Sequence, residues 1–319
     1  MALALVVFGL LMASLPALCR RGGRQLRPNE WARLSAGGLI VGVVVVEVGL
    51  ILLAVPTGLR AAGVEALAAA CGRVVAPLIP FGEIGGWVSA GLALLTATQA
   101  IRELRRVRRA RAVAWVEPCI GERADDGSGI ETVVVPGDAM LAYSVSYPSP
   151  QIVLSSRLVT ALNADELDVV VAHERAHVRL GHHRTLSTAA VATAALGWWP
   201  AASRSCRVVS TAHERWADDV ATGQDVERRR RLGRVLEHVA LDRVALPAVP
   251  FSPAHAIAER IAALAAPLSP RSSLAPSALR VALYIPGGFA AAGALGVFSV
   301  WATQAQFVLA LAGRCPLQV

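Results

Sequence analysis

The sequence predicts a mainly α-helical integral-membrane protein, with about four transmembrane helices and a cytoplasmic α+β domain. Three observations predict it. The 319 residues are 55% hydrophobic with a mean hydropathy of +0.51, too apolar for an ordinary soluble chain. Four segments approach or exceed the roughly 20 apolar residues that cross a hydrocarbon core. Between the third and fourth of these, β-rich runs give way to polar motifs set in helix-like sequence.

The four segments are Ala2–Leu18, Ala36–Leu59, Ile84–Ile101 and Val281–Trp301. All 31 basic residues are arginine, and their placement gives the orientation. Five (Arg20, Arg21, Arg24, Arg27, Arg33) follow the first segment, and Arg102, Arg105, Arg106, Arg108, Arg109 and Arg111 follow the third. The loop between the second and third holds only Arg60 and Arg73. Positive-inside counting puts the N-terminus outside and everything from Arg102 to Arg280 in the cytoplasm of a multi-pass cell-membrane protein. Arginines clustered at membrane edges also account for the formal charge of +8 without direct binding of nucleic acid. The expected organisation is a three-helix membrane domain (1–111), a cytoplasmic domain (112–280), and a last span with a short tail (281–319).

Ala2–Leu18 reads as an uncleaved span, because it lacks a basic n-region and its arginines follow the apolar run. Leu18-Cys19 resembles a lipoprotein cleavage site only loosely. The five cysteines are scattered without a C-x-x-C pair, so neither a disulfide framework nor a thiolate metal site is expected. Glu47 lies inside the second span, where a carboxylate is either functional or hydrogen-bonded between helices.

In the cytoplasmic segment, Ala112–Val116, Thr132–Val135, Tyr143–Tyr147 and Gln151–Leu154 read as strands, punctuated by Asp125–Gly129 and Pro148-Ser149-Pro150. Such a sheet is either structural or offers an edge to an extended peptide. Asn163 then serves as an N-cap, with Glu166 three residues on as its capping-box partner. Gly181 offers a helix stop after Leu180.

That helix carries His173-Glu174-Arg175-Ala176-His177, an H-E-x-x-H pattern. Residues four apart share a helix face, so the two imidazoles can hold one metal ion, with Glu174 beside them to take a proton from water. Zinc is the ion that suits two nitrogen ligands, a third ligand and an open position. Further on, Glu214 and Asp218 also share a helix face. Glu214 can complete the metal set, and Asp218 can orient a ligand histidine. His213 is a competing ligand, directed about 100° away on the helix. An ordinary solvated charge pair is the bland alternative for Glu214 and Asp218. His182 and His183 read as supporting or headgroup-facing residues. The apolar Leu186–Trp199, flanked by Arg184 and Arg204, is expected to lie against the membrane or in the domain core.

With Gln151–Leu154 leading into the helix, His173-Glu174-Arg175-Ala176-His177, Trp199-Pro200, and Glu214 with Asp218, the chain resembles the BlaR/MecR-type integral-membrane metallopeptidases, the β-lactam sensor-transducer family. H-E-x-x-H with a downstream E-x-x-x-D is shared with the HtpX and CAAX-prenyl peptidases, so span order and the Trp-Pro element carry the choice. The resemblance implies a zincin-like domain with Zn²⁺ at His173, His177 and Glu214, and Glu174 as the base. It also implies a protein substrate, such as a transcriptional repressor, cleaved in signal transduction at the cytoplasmic membrane face. Two departures stand out. His182 occupies a place where an Asp is common in that family, and a chain without lysine has no S-x-x-K acylation motif. The alternatives are an HtpX-like quality-control peptidase and a non-catalytic membrane receptor with a structural zinc site.

Overall fold

Pro28 opens the longest helix among the described residues, since a proline at the first helical position lacks only an N–H that would have no partner there. The computed structural model describes residues 2–23, 26–65, 68, 82–114, 121–124, 127, 129–223, 225–244 and 254–266. Its first layer comprises α1 (Ala2–Leu18), the short α2 (Arg20–Gly23), α3 (Pro28–Ala61) and α4 (Gly82–Ala114). Helices α3 and α4 are each long and apolar enough to cross a membrane; α1 is apolar but shorter. The expected span Val281–Trp301 lies outside the described residues.

Glycines let α1 and α3 touch backbone to backbone in antiparallel array. A Cβ on Gly42 would stand 2.5 Å from Ala13 N, and one on Gly9 would stand 2.6 Å from Gly42 O. Only a residue without a side chain allows that approach. Glu47 of α3 is hydrogen-bonded by Thr96 of α4, the interhelical arrangement that was one of its two expected readings.

One expectation needs correction. Ala112–Ala114 continue α4 as helix rather than starting a strand. The flanking alanines favour helix over the β-preference of Val113. The helix is tied at this end by Arg111, which donates to His183 O (2.8 Å) and Ser187 Oγ (2.6 Å).

The sheet contains β1 (Glu122–Ala124), β2 (Glu131–Val135), β3 (Ala142–Val145) and β4 (Gln151–Ser155), in the order β1-β2-β4-β3. Strand β2 runs parallel to β4, while β1 and β3 are antiparallel edges. All five residues of β4 are buried, as befits a central strand covered on both faces. The charged β1 has no sequence signature and exists through its pairing with β2.

After β4, Ser155 Oγ accepts from Leu158 N–H and caps α5 (Ser156–Ala161). The expected capping box then opens α6 (Ala164–Arg179), with Asn163 and Glu166 bonding each other's backbone. Helix α6 packs on the sheet through Val170, Ile152, Leu154 and Leu158, joined by Val235. Gly181, at φ +66°, turns the chain into α7 (His182–Ala195). Helices α8 (Pro200–Thr222), α9 (Val226–Val244) and α10 (Ala254–Ala265) follow among the described residues.

The hairpin of α7 and α8 joins the two layers. Leu196, Ala189 and Val209 share a core with Ala13, Leu39 and Val46 of the apolar helices. At its tip, Trp199 Nε1–H donates to Ser14 Oγ at 2.9 Å. Leu186–Trp199 therefore packs on the apolar helices.

Candidate metal centre

His173 and His177 project from one face of α6 into the gap between that helix and α8, and both are buried. Their Nε2 atoms are 3.1 Å apart. From α8, Glu214 brings Oε2 to 3.5 Å from His173 Nε2 and Oε1 to 3.5 Å from His177 Nε2. Ligand atoms from these three residues lie within 4.8 Å of one another. A tetrahedral ion with bonds of about 2.0–2.1 Å needs donor atoms roughly 3.3 Å apart. The separations here fit that edge length, and two imidazoles with one carboxylate suit zinc chemically. His213, the competing ligand, points elsewhere: its Nδ1–H donates to Val209 O at 2.8 Å and its ring stacks edge-on to His182.

The outer ring nitrogens face supporting groups. Asp218 Oδ1 stands 3.0 Å from His173 Nδ1, in a charge contact whose N–H is not aimed straight at the oxygen. His177 Nδ1 meets His182 Nδ1 at 3.1 Å. With Nε2 turned to the cluster, His177 carries its proton on Nδ1 and donates it to His182. His182 is 1% exposed and wedged among His177, His213 and Trp216. Burial lowers its pKa to about 3, so it is a neutral acceptor. It thus takes an anchoring place without adding a charge.

Arg260 is the residue that sequence reasoning missed. It reaches in from α10, with Nε 2.9 Å from Asp218 Oδ2, one terminal nitrogen 2.6 Å from Asp218 Oδ1, and the other 2.8 Å from Glu214 Oε2. No motif marks it in Ala254–Ala265. Burial would raise the pKa values of Glu214 and Asp218, but the guanidinium overrides burial and holds both down. The two carboxylates in turn raise Arg260, against burial. Burial also acts to lower His173, yet Asp218 and Glu214 outweigh it and bring that pKa to about 10. His177 is lowered, chiefly by burial.

Glu174 lines the adjoining cleft, where its Oε2 accepts a hydrogen bond from Ser144 Oγ at 2.8 Å. Ser144 belongs to edge strand β3 and also contacts His183 Nε2 at 3.3 Å. It too escaped notice, because a serine in a short strand carries no local signal. The cleft measures about 930 Å³. Met140, Leu158, Val170, Leu186 and Leu236 give part of its wall an apolar character, and Ser144, Arg207, Thr211, the metal cluster and Arg260 supply a polar part.

No curated protein and no solved structure matches this chain. Residues 114–205 match the model of peptidase family M48, a stretch that includes His173, Glu174 and His177 and stops before Glu214 and Asp218. The match lends no support to the sensor-transducer subtype, and what it supports is the M48 metallopeptidase family.

Proposed function

We propose that the protein is a membrane-associated zinc metalloendopeptidase that hydrolyses peptide bonds of a protein substrate at the cytoplasmic face. The observation that carries this reading is the His173–His177–Glu214 cluster, with donor separations of 3.1 and 3.5 Å beside Glu174 and an open cleft. His173, His177 and Glu214 would hold the ion. When bound, zinc supplies Lewis acidity that polarises a carbonyl and makes water a better acid.

The remaining chemistry falls to the chain's own groups. Glu174 takes the proton of the attacking water and returns it to the leaving amine. Ser144 O–H holds one carboxylate oxygen of Glu174, leaving the other free for proton transfer. Asp218 and His182 keep the two imidazoles turned inward, and Arg260 restrains Glu214 and Asp218 together. Among the described residues edge strand β3 has one side unpaired in the sheet order, so an extended peptide can align there by main-chain hydrogen bonds.

The membrane setting rests on α3 and α4, with the arginine pattern supporting an outside N-terminus and a cytoplasmic metal domain. A single regulatory substrate of repressor type is the finer reading, supported by the order of apolar segments and the Trp199-Pro200 element seated on Ser14. The breadth and apolar lining of the cleft favour a second one, the removal of damaged membrane proteins. Comparing protein N-termini in wild-type and Glu174→Gln cells tests both. One accumulating substrate supports regulation, many membrane-derived fragments support quality control, and identical profiles refute the peptidase.

A further inference from the structure

Beside the metal cleft, and sharing Arg207 and Thr211 with it, a second cavity of about 210 Å³ opens where α1, α3, α8 and α10 meet. Four arginines line it (Arg20, Arg204, Arg207 and Arg215), with Trp31 and one carboxylate, Glu259. Glu259 pairs with Arg20, so the excess positive charge lies with Arg204 and Arg207. Arg204 and Arg207 are exposed, and among the described residues no carboxylate pairs with either. Two like charges lining one small space make it attractive to an anion.

The cavity's height in the fold narrows the ligand. Ala17 lines it from the last turn of α1 and Trp31 from the first turn of α3. Ala17 ends one apolar run and Trp31 precedes the next, and Ser205 near the start of α8 is bound by Ala17 N–H at 3.3 Å. This is the level of lipid headgroups on the arginine-rich side, where tryptophan also prefers to sit. Arginine forks match phosphate oxygens in pairs, and anionic headgroups attract basic residues there.

We infer that this cavity binds the phosphate of an anionic phospholipid headgroup. The inference rests on the membrane placement proposed above and involves neither zinc nor Glu174. The same chemistry could be met by free phosphate, so the test uses both. Full-length protein in neutral detergent is titrated with short-chain phosphatidylglycerol, with phosphatidylcholine, and with inorganic phosphate, and bound ligand is counted by native mass spectrometry. The expected result is one saturable phosphatidylglycerol, bound about tenfold more tightly than phosphatidylcholine and weakened about tenfold by Arg204→Gln with Arg207→Gln. Loss of the same charge at Arg230 and Arg234, exposed on α9, should leave binding unchanged. Displacement of the lipid by millimolar inorganic phosphate would keep the anion site but assign it to a soluble ligand. Equal binding of both lipids, equal weakening by both pairs of substitutions, undiminished binding after the Arg204 and Arg207 changes, or no binding of any probe would overturn it. Each of these readouts is independent of peptidase activity.

Discussion

The contact of α1 with α3 and the layer between α6 and α8 are both buried, yet opposite physics holds them. In the first, Gly9 and Gly42 bring backbones together with no room for one added carbon. In the second, buried His173, His177, Asp218 and Arg260 crowd charged and titratable groups around the half-buried Glu214. The apolar contact depends on shape and dispersion. The polar layer depends on each charge meeting its opposite, because an unpaired buried ion costs several kcal/mol. A change in volume should therefore damage the first region and a change in charge the second.

The largest expected effect lies in the polar layer. Glu174→Gln should lower kcat/KM by about 10²–10⁴-fold while bound zinc stays stoichiometric, since only the proton carrier is lost. Unchanged turnover would end the assignment of Glu174 as base. Arg260→Ala should weaken zinc about 10–100-fold in a competition titration against a chelator. It also strands Glu214 and Asp218 without their cation, so a lower Tm is expected, with partial recovery in Arg260→Lys. If zinc affinity and Tm both stay put, the charge-pairing account of this layer is wrong.

Proton linkage gives a third test. With its pKa at about 10, His173 is protonated at neutral pH in the metal-free cluster and must lose that proton to bind zinc. Calorimetry in buffers of different ionisation enthalpy should find about one proton released at pH 7. Affinity should rise about tenfold per pH unit until that pKa is reached. The apolar contact should answer differently. Gly42→Leu drives a side chain into Ala13 and should cost about 1–3 kcal/mol or more, seen as a lower Tm with zinc affinity intact in the folded fraction. The smallest change is expected for Ser144→Ala, a fall of a few-fold in kcat with KM and zinc affinity nearly constant, because it removes one hydrogen bond to Glu174.

How much was legible beforehand follows from the range of each interaction. The capping box at Asn163 and Glu166, the turn at Gly181 and the shared face of His173 and His177 are each decided within about one helical turn. They could be read from spacing alone. So could strands β2, β3 and β4, whose branched and aromatic residues favour extended backbone. Strand β1 could not, because its Glu-Arg-Ala sequence is extended only through its partner. At Ala112–Ala114 the expected strand is helix instead, because the β-preference of Val113 yields both to its alanine neighbours and to the anchoring of the helix by Arg111.

By itself, the order of residues determined the helix that carries both imidazoles, the apolar segments and the arginine asymmetry along the chain. Periodicity and charge are properties of neighbours, and neighbours are what a sequence records. Tertiary structure alone decided that Ser144 would hold Glu174, that His182 would back His177 as a neutral acceptor, and that Arg260 would clasp two carboxylates from a separate helix. Those contacts join groups on different elements, and their energies depend on burial that exists only once the layers have closed.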